Sequence, residues 1–379
     1  MTKRTGSLTR SLTVDVLTDL ESASSISDEW DALAEQVNTQ PFGRPAMALA
    51  WWQHLGKGAL HIVTVRSPGG ELVGLAPFHR RSLPVSTMVR PLGHGVGAVA
   101  CFLMAEIKAD VASLLASALV ADGRAAHLAD LPVNDDVLRR ARRDQHIEVD
   151  ARLHDECPTI VLEGLTSAAD LLAAPSHAKL RKQLARTERE LGERAWSVDI
   201  ATSRDEVAAA FERIGPLNDA AEADRPRLHF GQGAHGAFFS DALGSLADRR
   251  QVALMTLLVD GAPAAFDVHV RTNARRAAAI LGRFHPDHAS LSPGHLLLRC
   301  GVDWAIEEGL DVLDLQLGND RYKTSWANAG YDTVDVVMAD GDTSRVRASI
   351  AGIEQAYQLR RRATTLVDRV GRRLDDIRR

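Results

Sequence analysis

The sequence has few cysteines and no long apolar run. Its three cysteines, Cys101, Cys157 and Cys300, lie far apart and lack a CxxC spacing, which argues against a disulfide framework or a structural zinc site. The longest apolar stretch, near Gly95–Ala105, is too short to span a bilayer. Acidic residues from Asp15 onward interrupt the N-terminal segment, so it lacks the apolar core of a signal peptide. We therefore expect a cytoplasmic protein that is neither secreted nor inserted into a membrane.

The chain also lacks a strong charge of either sign. With 45 basic and 50 acidic residues among 379, its formal net charge is −5. A balance this mild contains neither the basic excess typical of nucleic-acid-binding proteins nor an acidic tail. Any functional charge must therefore be local. The length allows two or three domains and a sizeable core.

The first half alternates strands with helices and contains an antiparallel hairpin. Two β-rich segments flank Ser67-Pro68-Gly69-Gly70, which is a turn signal. The predicted strands are Leu12–Leu17, His61–Arg66, Glu71–His79, Ala98–Met104, Ala125–Leu131 and His146–Leu153, and the predicted helices are Ser27–Leu33, Pro45–Leu55, Ala109–Ala121 and Asp135–Asp144. This order predicts an α/β (α+β) fold rather than a series of repeated strand–helix–strand units.

A polar, basic segment at Thr166–Arg194 marks the predicted domain junction; it is predicted to be one helix or a helix that restarts after Pro175. The second half then repeats the order of the first. Its hairpin turns at Asp260-Gly261. The predicted strands are Trp196–Ala201, Gln251–Val259, Ala264–Arg271, Ala277–Phe284, Asp311–Leu317 and Thr333–Ala339, and the predicted helices are Arg204–Ala221 and His235–Ala247. The repeated order predicts two tandem domains, 1–165 and 166–342.

The C-terminus, 343–379, is predicted to be a long basic helix. Apolar residues recur at helical spacing from Val346 to Leu374, and arginines crowd its end. These arginines either form a solvated face with favourable charge at a helix C-terminus or bind an anionic partner.

The turn Ser292-Pro293-Gly294-His295 precedes a predicted helix that Gly309 ends. We expect Ser292 to cap this helix and Pro293 to occupy its first position. Gly294 lets a ligand approach the backbone closely. Because unpaired N–H groups and the helix dipole favour negative charge, the turn is either an ordinary helix start or a phosphate site.

Several motifs carry a family resemblance. They are LSPGHLL (Leu291–Leu297), DLQLGNDRYKTSW (Asp314–Trp326), KLRKQLARTEREL (Lys179–Leu191) and GLAPFHRR (Gly74–Arg81). With them, the chain resembles the GNAT acyltransferases, and more closely the BioF2-like or CelD-like branch, which is related to the FemX-type tandem proteins. The resemblance covers about Trp30–Ala339 and is strongest from Gln251 onward.

The resemblance implies a mixed central sheet flanked by helices in each half, with two strands splayed apart around the pantetheine of acetyl-CoA or another acyl-CoA. Strand Ala277–Phe284 would then supply backbone groups to pantetheine, and the turn Ser292–Leu296 would hold the pyrophosphate. The turn departs from the family's usual signature of a basic residue and spaced glycines. The implied cofactor contacts are Leu281, Gly282, Arg283, Phe284, Ser292, Pro293, Gly294, His295, Leu296 and Asn319.

The implied chemistry is attack of an amine on a thioester, which needs a base for the amine and an acid for the departing thiolate. Tyr322 is the candidate acid, because Asn319 to Tyr322 followed by Ala329-Gly330-Tyr331 is similar to the Asn, Tyr and Gly-aromatic pattern of GNAT enzymes. Alternatively, Tyr322 is a partly buried aromatic residue with a satisfied hydroxyl.

Candidate bases come from residues that alternate on one strand. Asp267 and His269 share a face of strand Ala264–Arg271, and they face either a cleft or solvent. Asp314 and Gln316 form a second such pair, which would orient the acceptor. In the following loop, Lys323 and Trp326 are predicted substrate contacts, although an exposed lysine is the commoner outcome.

No metal is expected. His285-Pro286-Asp287-His288 offers ligand-type side chains, but the segment is a turn without a matching further cluster. The predicted function is acyl-CoA-dependent transfer, most simply of acetyl, to the amine of a small molecule or sugar precursor. One alternative is a FemX-like aminoacyltransferase using aminoacyl-tRNA, the only reading that involves nucleic acid. The other is a non-catalytic protein that binds an anionic partner. Monomer and dimer both remain open.

Overall fold

The computed structural model of the protein describes residues 11–82, 87–105, 109–192, 194–224 and 230–352. The predicted C-terminal helix begins at residue 343 and is helical to residue 352. Its remaining part, including the arginine-rich end, lies outside the described residues. None of the helices in the described ranges combines the length and apolar character that a bilayer crossing needs.

The described residues form one mixed sheet of 13 strands. In chain order the strands are β1 (Thr13–Leu17), β2 (Ala59–Arg66), β3 (Leu72–Ser82), β4 (Thr87–Pro91), β5 (Leu103–Met104), β6 (Ala125–Pro132), β7 (Glu148–Val161), β8 (Trp196–Ala201), β9 (Val252–Val259), β10 (Ala262–Asn273), β11 (Arg276–Phe284), β12 (Val312–Asp314) and β13 (Ala329–Ala339). Their spatial order is β1-β2-β3-β4-β6-β13-β7-β12-β11-β10-β9-β8, with β5 paired to β3. The predicted α/β class with a mixed sheet is confirmed.

The two halves of the chain exchange strands at the centre of this sheet. Strand β13 comes from the second half but lies between β6 and β7 of the first half, antiparallel to both. Strand β7 in turn pairs with β12. The sheet is therefore continuous across the predicted junction at residue 165, and the division of the chain into domains there stays a prediction.

Helices cover both faces of the sheet. They are α1 (Leu20–Ser25), α2 (Ser27–Gln36), α3 (Pro45–Leu55), α4 (Ala109–Val120), α5 (Asp136–Ala141), α6 (Ala168–Ala173), α7 (Ala178–Leu191), α8 (Arg204–Arg213), α9 (Gly215–Asp224), α10 (Gly233–Asp248), α11 (Pro293–Glu307) and α12 (Arg321–Thr324). The prediction of a single helix at Arg204–Ala221 is wrong. The chain breaks between α8 and α9, where Gly215-Pro216 starts a new helix because proline removes a backbone donor.

Two predicted strands are shorter than expected. Of Ala98–Met104, only Leu103–Met104 pairs as a strand. Of Asp311–Leu317, only Val312–Asp314 does, because the backbone of Gln316 turns to a left-handed φ of 60°. Such a φ is incompatible with an extended ladder.

Alternation along β10 divides the core between the two faces of the sheet. Phe266, Val268 and Val270 pack with α3 and α10 in a cluster that draws on both halves of the chain. Ala265 belongs to the opposite face, where α7 and α11 pack. Because successive side chains of a strand point to opposite faces, Asp267 and His269 are placed beneath α11.

Candidate active site

Strands β11 and β12 form a fork. They are parallel and pair only at Arg276 with Val312, Ala277 with Leu313 and Ala278 with Asp314. Beyond Ala278, β11 continues along β10 as far as Phe284. The chain after Asp314 instead follows β7, where Leu315 N donates to the Pro158 carbonyl at 3.0 Å. A gap therefore opens between the two strands from the last shared pair onward.

The backbone of residues 279–284 forms one wall of this gap. Within the described residues, no strand pairs with β11 on this side beyond Ala278. Leu281 is partly exposed, Gly282 is exposed, and Phe284 is 40 % exposed. Unpaired, accessible strand edges bind extended ligands that carry amide groups. The fork is thus a slot suited to an extended molecule with peptide-like donors and acceptors.

A β-bulge lies just beyond the apex of the fork. Val268 of β10 is opposite Leu281, but His269 is opposite Ala279, which leaves Ile280 as an extra residue. Bulges bend a strand and turn its backbone groups out of the ladder. The bulge therefore directs the backbone at Ile280 differently from its neighbours, where the slot is narrowest.

Helix α11 begins at the end of the loop that follows β11. Pro293 occupies the first turn as predicted. The predicted side-chain cap at Ser292 is wrong, because Ser292 adopts a left-handed φ of 48° and makes no capping hydrogen bond; a capping residue normally has an extended backbone. Gly309 ends the helix region with a φ of 71°, as the sequence predicts.

Tyr322, on α12, reaches the start of α11. Its hydroxyl donates to the Gly294 carbonyl at 3.2 Å. A Cβ at Gly294 would lie 3.3 Å from Cε2 of Tyr322, so any larger residue would require the tyrosine ring to shift. Burial, and secondarily the nearby Asp267 carboxylate, raise the pKa of Tyr322 well above its ordinary value. The hydroxyl is therefore protonated at neutral pH, and it donates to a backbone carbonyl.

Asp267 and His269 share the α11 face of β10, and the alternative that they face solvent is wrong. Asp267 is 5 % exposed and His269 is 0 % exposed. Asp267 Oδ2 lies 3.3 Å from His269 Nε2, although the two groups are not aligned for a hydrogen bond. Gly282 makes room for the carboxylate, since a Cβ there would lie 3.2 Å from Asp267 Oδ1. The pair is a buried carboxylate and imidazole beside the fork.

Gly301 of α11 should not tolerate alanine, because its Cβ would lie 2.5 Å from Cε1 of His269, whose ring also packs on Trp304. We expect Gly301→Ala to lower the free energy of unfolding by roughly 1–2 kcal/mol, since overpacking outweighs the gain in helix propensity. Urea unfolding measures this. Gly244→Ala in α10 is the control, because its Cβ would meet only the movable end of Arg204. Equal stability of the two variants would contradict this packing.

Asp314 lies on the other face of the sheet. Its neighbours Leu313 and Leu315 pack on the α11 side, so Asp314 points away from α11. Its Oδ2 accepts from Arg276 Nη2 at 2.6 Å and from the Tyr331 hydroxyl at 2.8 Å, and its Oδ1 accepts from Gln316 N at 2.8 Å. The two predicted same-face pairs therefore lie on opposite sides of the fork.

Gln40 from the first half completes this second cluster. Its Nε2 donates to the Tyr331 hydroxyl at 2.9 Å, and its Oε1 accepts from Gln316 Nε2 at 3.0 Å. Gln40 and Arg276 are absent from the residues proposed from sequence. Arg276 begins a strand whose partner the sequence does not identify, and Gln40 lies 276 residues from Gln316. No local pattern could have found them.

The loop after β12 supports the start of α11. Trp326 is 0 % exposed, and its Nε1 donates to His295 Nδ1 at 3.0 Å. Burial lowers the pKa of His295, so a neutral ring with its proton on Nε2 fits this bond. Lys323 is partly buried rather than exposed, and its Nζ donates to the Gln316 carbonyl at 3.2 Å. Asn319 is exposed in the same loop.

Two further residues predicted to contact the cofactor lie at the wide end of the fork, one near the end of β11 and one at the start of α11. We call this end the mouth of the fork. Arg283 lies 3.7 Å from Glu222 of α9. Leu296, in the first turn of α11, is fully buried. In the segment His285–His288, which the sequence offers as metal ligands, His285 Nδ1 accepts from Asp287 N. The described residues contain no group of three or more His, Cys, Asp or Glu side chains placed to hold a metal ion.

Part of the chain matches a known domain family. The family model for the acetyltransferase (GNAT) domain matches residues 178–324, which contain the fork, the start of α11 and Tyr322. No curated protein sequence matches the chain.

Solved structures share the fold over most of the chain. The C-terminal domain of a lysylphosphatidylglycerol synthetase candidate from Agrobacterium fabrum has 14% identity and a TM-score of 0.57, covering 88% of this chain and 96% of its own. FemX has 12% identity and a TM-score of 0.55, with coverages of 81% and 95%. L-PGS from Bacillus licheniformis has 12% identity and a TM-score of 0.50, with coverages of 85% and 94%. Residues 178–324 thus match a GNAT acetyltransferase domain, and most of the chain shares the fold of these FemX-like structures, which supports a transferase.

Proposed function

We propose that the protein transfers an acyl group, most simply acetyl, from acyl-CoA to the amine of a small molecule or sugar precursor. The observation that carries this is the fork. An extended slot with an unpaired strand edge on one side suits pantetheine, which contains two amides and can pair like a short strand. In this arrangement the backbone of residues 279–284 binds pantetheine, and the thioester lies near the apex at Ala278 and Asp314.

The mouth of the fork suits the phosphates of the donor. The first turn of α11 has no side-chain cap at Ser292, so its N–H groups and helix dipole are directed at whatever lies in front. Helix α7 lies next to the start of α11, because Thr187 Oγ1 of α7 donates to the Leu291 carbonyl at 2.8 Å. Five of its basic side chains are exposed, namely Lys179, Arg181, Lys182, Arg186 and Arg189. This local positive charge supports a polyphosphate ligand.

In this proposal, residues along the fork supply the acid, the base and the groups that orient the acceptor. The amine nitrogen attacks the thioester carbon, a C–N bond forms, and the C–S bond breaks. Tyr322 supplies the proton that the departing thiolate takes up, and its raised pKa keeps it protonated until then. Asp267 with His269 receives the proton lost by the attacking amine, directly or through water. Asp314 and Gln316 orient the acceptor from the opposite face.

Isothermal titration calorimetry of the purified protein with acetyl-CoA and longer acyl-CoA tests the donor. Binding is expected, and its absence for all chain lengths would overturn the proposal. A basic α7 is also compatible with aminoacyl-tRNA, the donor of the alternative function. However, only residues 192–195 join α7 to β8, which leaves no room for a helical arm there. Retention of aminoacyl-tRNA on a filter, with an affinity that falls steeply with salt, would favour the alternative.

Gly294→Val should weaken acyl-CoA binding. A side chain at this position enters the space before the helix and meets Tyr322 Cε2 at 3.3 Å, so both the ligand and the tyrosine are displaced. We expect the Kd to rise roughly tenfold, equivalent to about 1.4 kcal/mol. Gly215→Val is the matched control, because Gly215 also starts a helix but a Cβ there meets nothing within 4 Å. An unchanged Kd for Gly294→Val would place the donor elsewhere.

A further inference from the structure

A cavity of about 430 Å³ lies where the two halves of the chain meet, on the opposite side of the fork from α11. The first half contributes apolar side chains from residues 100–104 and the polar turn at Asn134 and Asp135. The second half contributes Arg276 and Tyr331. The volume lies within the range of small-molecule sites, about 300–1,000 Å³.

The cavity ends against the apex of the fork. Arg276 and Tyr331 line it and both bind Asp314 Oδ2, and Asp314 belongs to the last residue pair before β11 and β12 separate. Gln40 also lines the cavity and bonds to the Tyr331 hydroxyl. A molecule in the cavity therefore reaches the place proposed for the thioester from the face opposite Tyr322.

The charged side chains that line the cavity indicate the charge of the ligand that it favours. Arg276 is neutralised by buried Asp314 at 2.6 Å, and Asp136 is paired with Arg139. Two further lining carboxylates, Asp135 and Asp332, form no ion pair within the described part of the chain. Burial raises the pKa of Asp135 to about 6, so this carboxyl is still mostly ionised at pH 7.5. The local excess is negative and favours a cation.

One donor in the cavity wall also needs a partner. Nε of Arg276 is buried and has no hydrogen-bond acceptor among the described residues. A buried donor without an acceptor costs free energy, and a ligand hydroxyl or carbonyl oxygen could satisfy it.

We propose that this cavity binds the acceptor, and that the acceptor is a cationic amine with a neighbouring hydroxyl or carbonyl oxygen and without a carboxylate or phosphate. Asp135 and Asp332 attract the ammonium group as it enters, and the oxygen accepts from Arg276. This inference rests on the proposed acyl transfer, because it assigns the second substrate of the same site.

Charge-selective labelling of Asn134→Cys tests the cavity without knowledge of the ligand. Asn134 is exposed at the rim of the cavity. Burial raises the pKa of Cys101 to about 11, that of Cys157 to about 12 and that of the partly buried Cys300 above its ordinary value, so these native thiols react slowly, and the protein without Asn134→Cys gives their background rate. A cationic methanethiosulfonate should react roughly three- to thirtyfold faster than an anionic one, after correction with free cysteine. Adding Asp332→Asn should reduce this preference, whereas Asp205→Asn, at an exposed position on α8, should not. Equal rates for the two reagents would overturn the inference.

A turnover assay then distinguishes failure of the proposed acceptor site from failure of the proposed acyl transfer on which it rests. Unlabelled and labelled Asn134→Cys protein receives acetyl-CoA with one of two amine pools: glucosamine, ethanolamine and phenylalanine amide, or glutamate, phenylalanine and phosphoethanolamine. Labelling should abolish turnover but leave the Kd for acetyl-CoA unchanged, and mass spectrometry should find acetylated products from the first pool. Products from the second pool, or unchanged turnover after labelling, would overturn the acceptor site alone. Failure of unlabelled protein to bind acetyl-CoA would overturn the function, and the acceptor assignment with it.

Discussion

Replacing Arg44 by alanine is expected to lower the free energy of unfolding by about 3–5 kcal/mol, because it removes a fully buried guanidinium from the nearly buried Asp31 carboxylate. Arg44 is 0 % exposed. Its Nη1 lies 3.0 Å from Asp31 Oδ1, its Nη2 is paired with Glu35, and its Nε donates to the Arg271 carbonyl at 3.1 Å. One guanidinium thus joins α2 to strand β10 of the second half.

The loss should be this large because Asp31 is part of a longer network. Its Oδ2 also accepts from Gln251 Nε2 at 2.9 Å and lies 3.4 Å from Arg249 Nη1. Both partners belong to the second half of the chain. Removing Arg44 therefore weakens the contact between halves as well as a single ion pair, and the two halves share one core cluster that would lose its alignment.

Urea unfolding followed by circular dichroism measures the effect. Arg186→Ala is the matched control, because Arg186 pairs with Glu190 on an exposed face of α7, and exposed pairs contribute little to stability. A double-mutant cycle of Arg44→Ala, Glu35→Ala and the double variant measures the coupling energy of that pair. If Arg44→Ala unfolds at the same urea concentration as the control, the guanidinium does not hold the two halves together.

Local signals in the sequence were sufficient for helix α11. Proline suits the first turn of a helix and glycine its end, and the structure places Pro293 and Gly309 in these roles. The end of β12 was not predictable in the same way. Asp311–Leu317 reads as a strand, but the chain leaves β11 after Asp314 and follows β7, which lies about 150 residues earlier in the chain. The fork itself is therefore a property of long-range pairing.

In the candidate site too, some features followed from the local sequence and others depended on long-range contacts. The period of a strand sufficed to place Asp267 and His269 on one face. Whether that face was solvent or interior depended on α11, whose Gly301 lies against the His269 ring. Gln40 carries no local signal, since its contacts with Tyr331 and Gln316 arise only when β13 of the second half enters the sheet of the first. The sequence therefore predicted which residues share a strand face, but it did not predict which residues of the two halves come into contact.

Tyr322→Phe should lower kcat by about a hundredfold to ten-thousandfold, the usual range for loss of a general acid, while the Kd for acetyl-CoA stays unchanged. Phenylalanine keeps the ring that packs against His295 and removes only the hydroxyl that donates to the Gly294 carbonyl at 3.2 Å. The thiolate then leaves without a proton donor, and the C–S bond breaks more slowly.

The pH dependence distinguishes this role from a structural one. Burial raises the pKa of Tyr322 above its ordinary value of 10, so the hydroxyl stays protonated and wild-type kcat should show no fall from its ionisation between pH 7 and 9. A thioester whose leaving group is a more acidic aryl thiol needs less protonation, so it should narrow the difference between Tyr322→Phe and wild type. A purely packing role would leave kcat nearly unchanged for both thioesters. An equal loss with both would mean that Tyr322 acts before the C–S bond breaks, because only that step depends on the basicity of the departing sulfur.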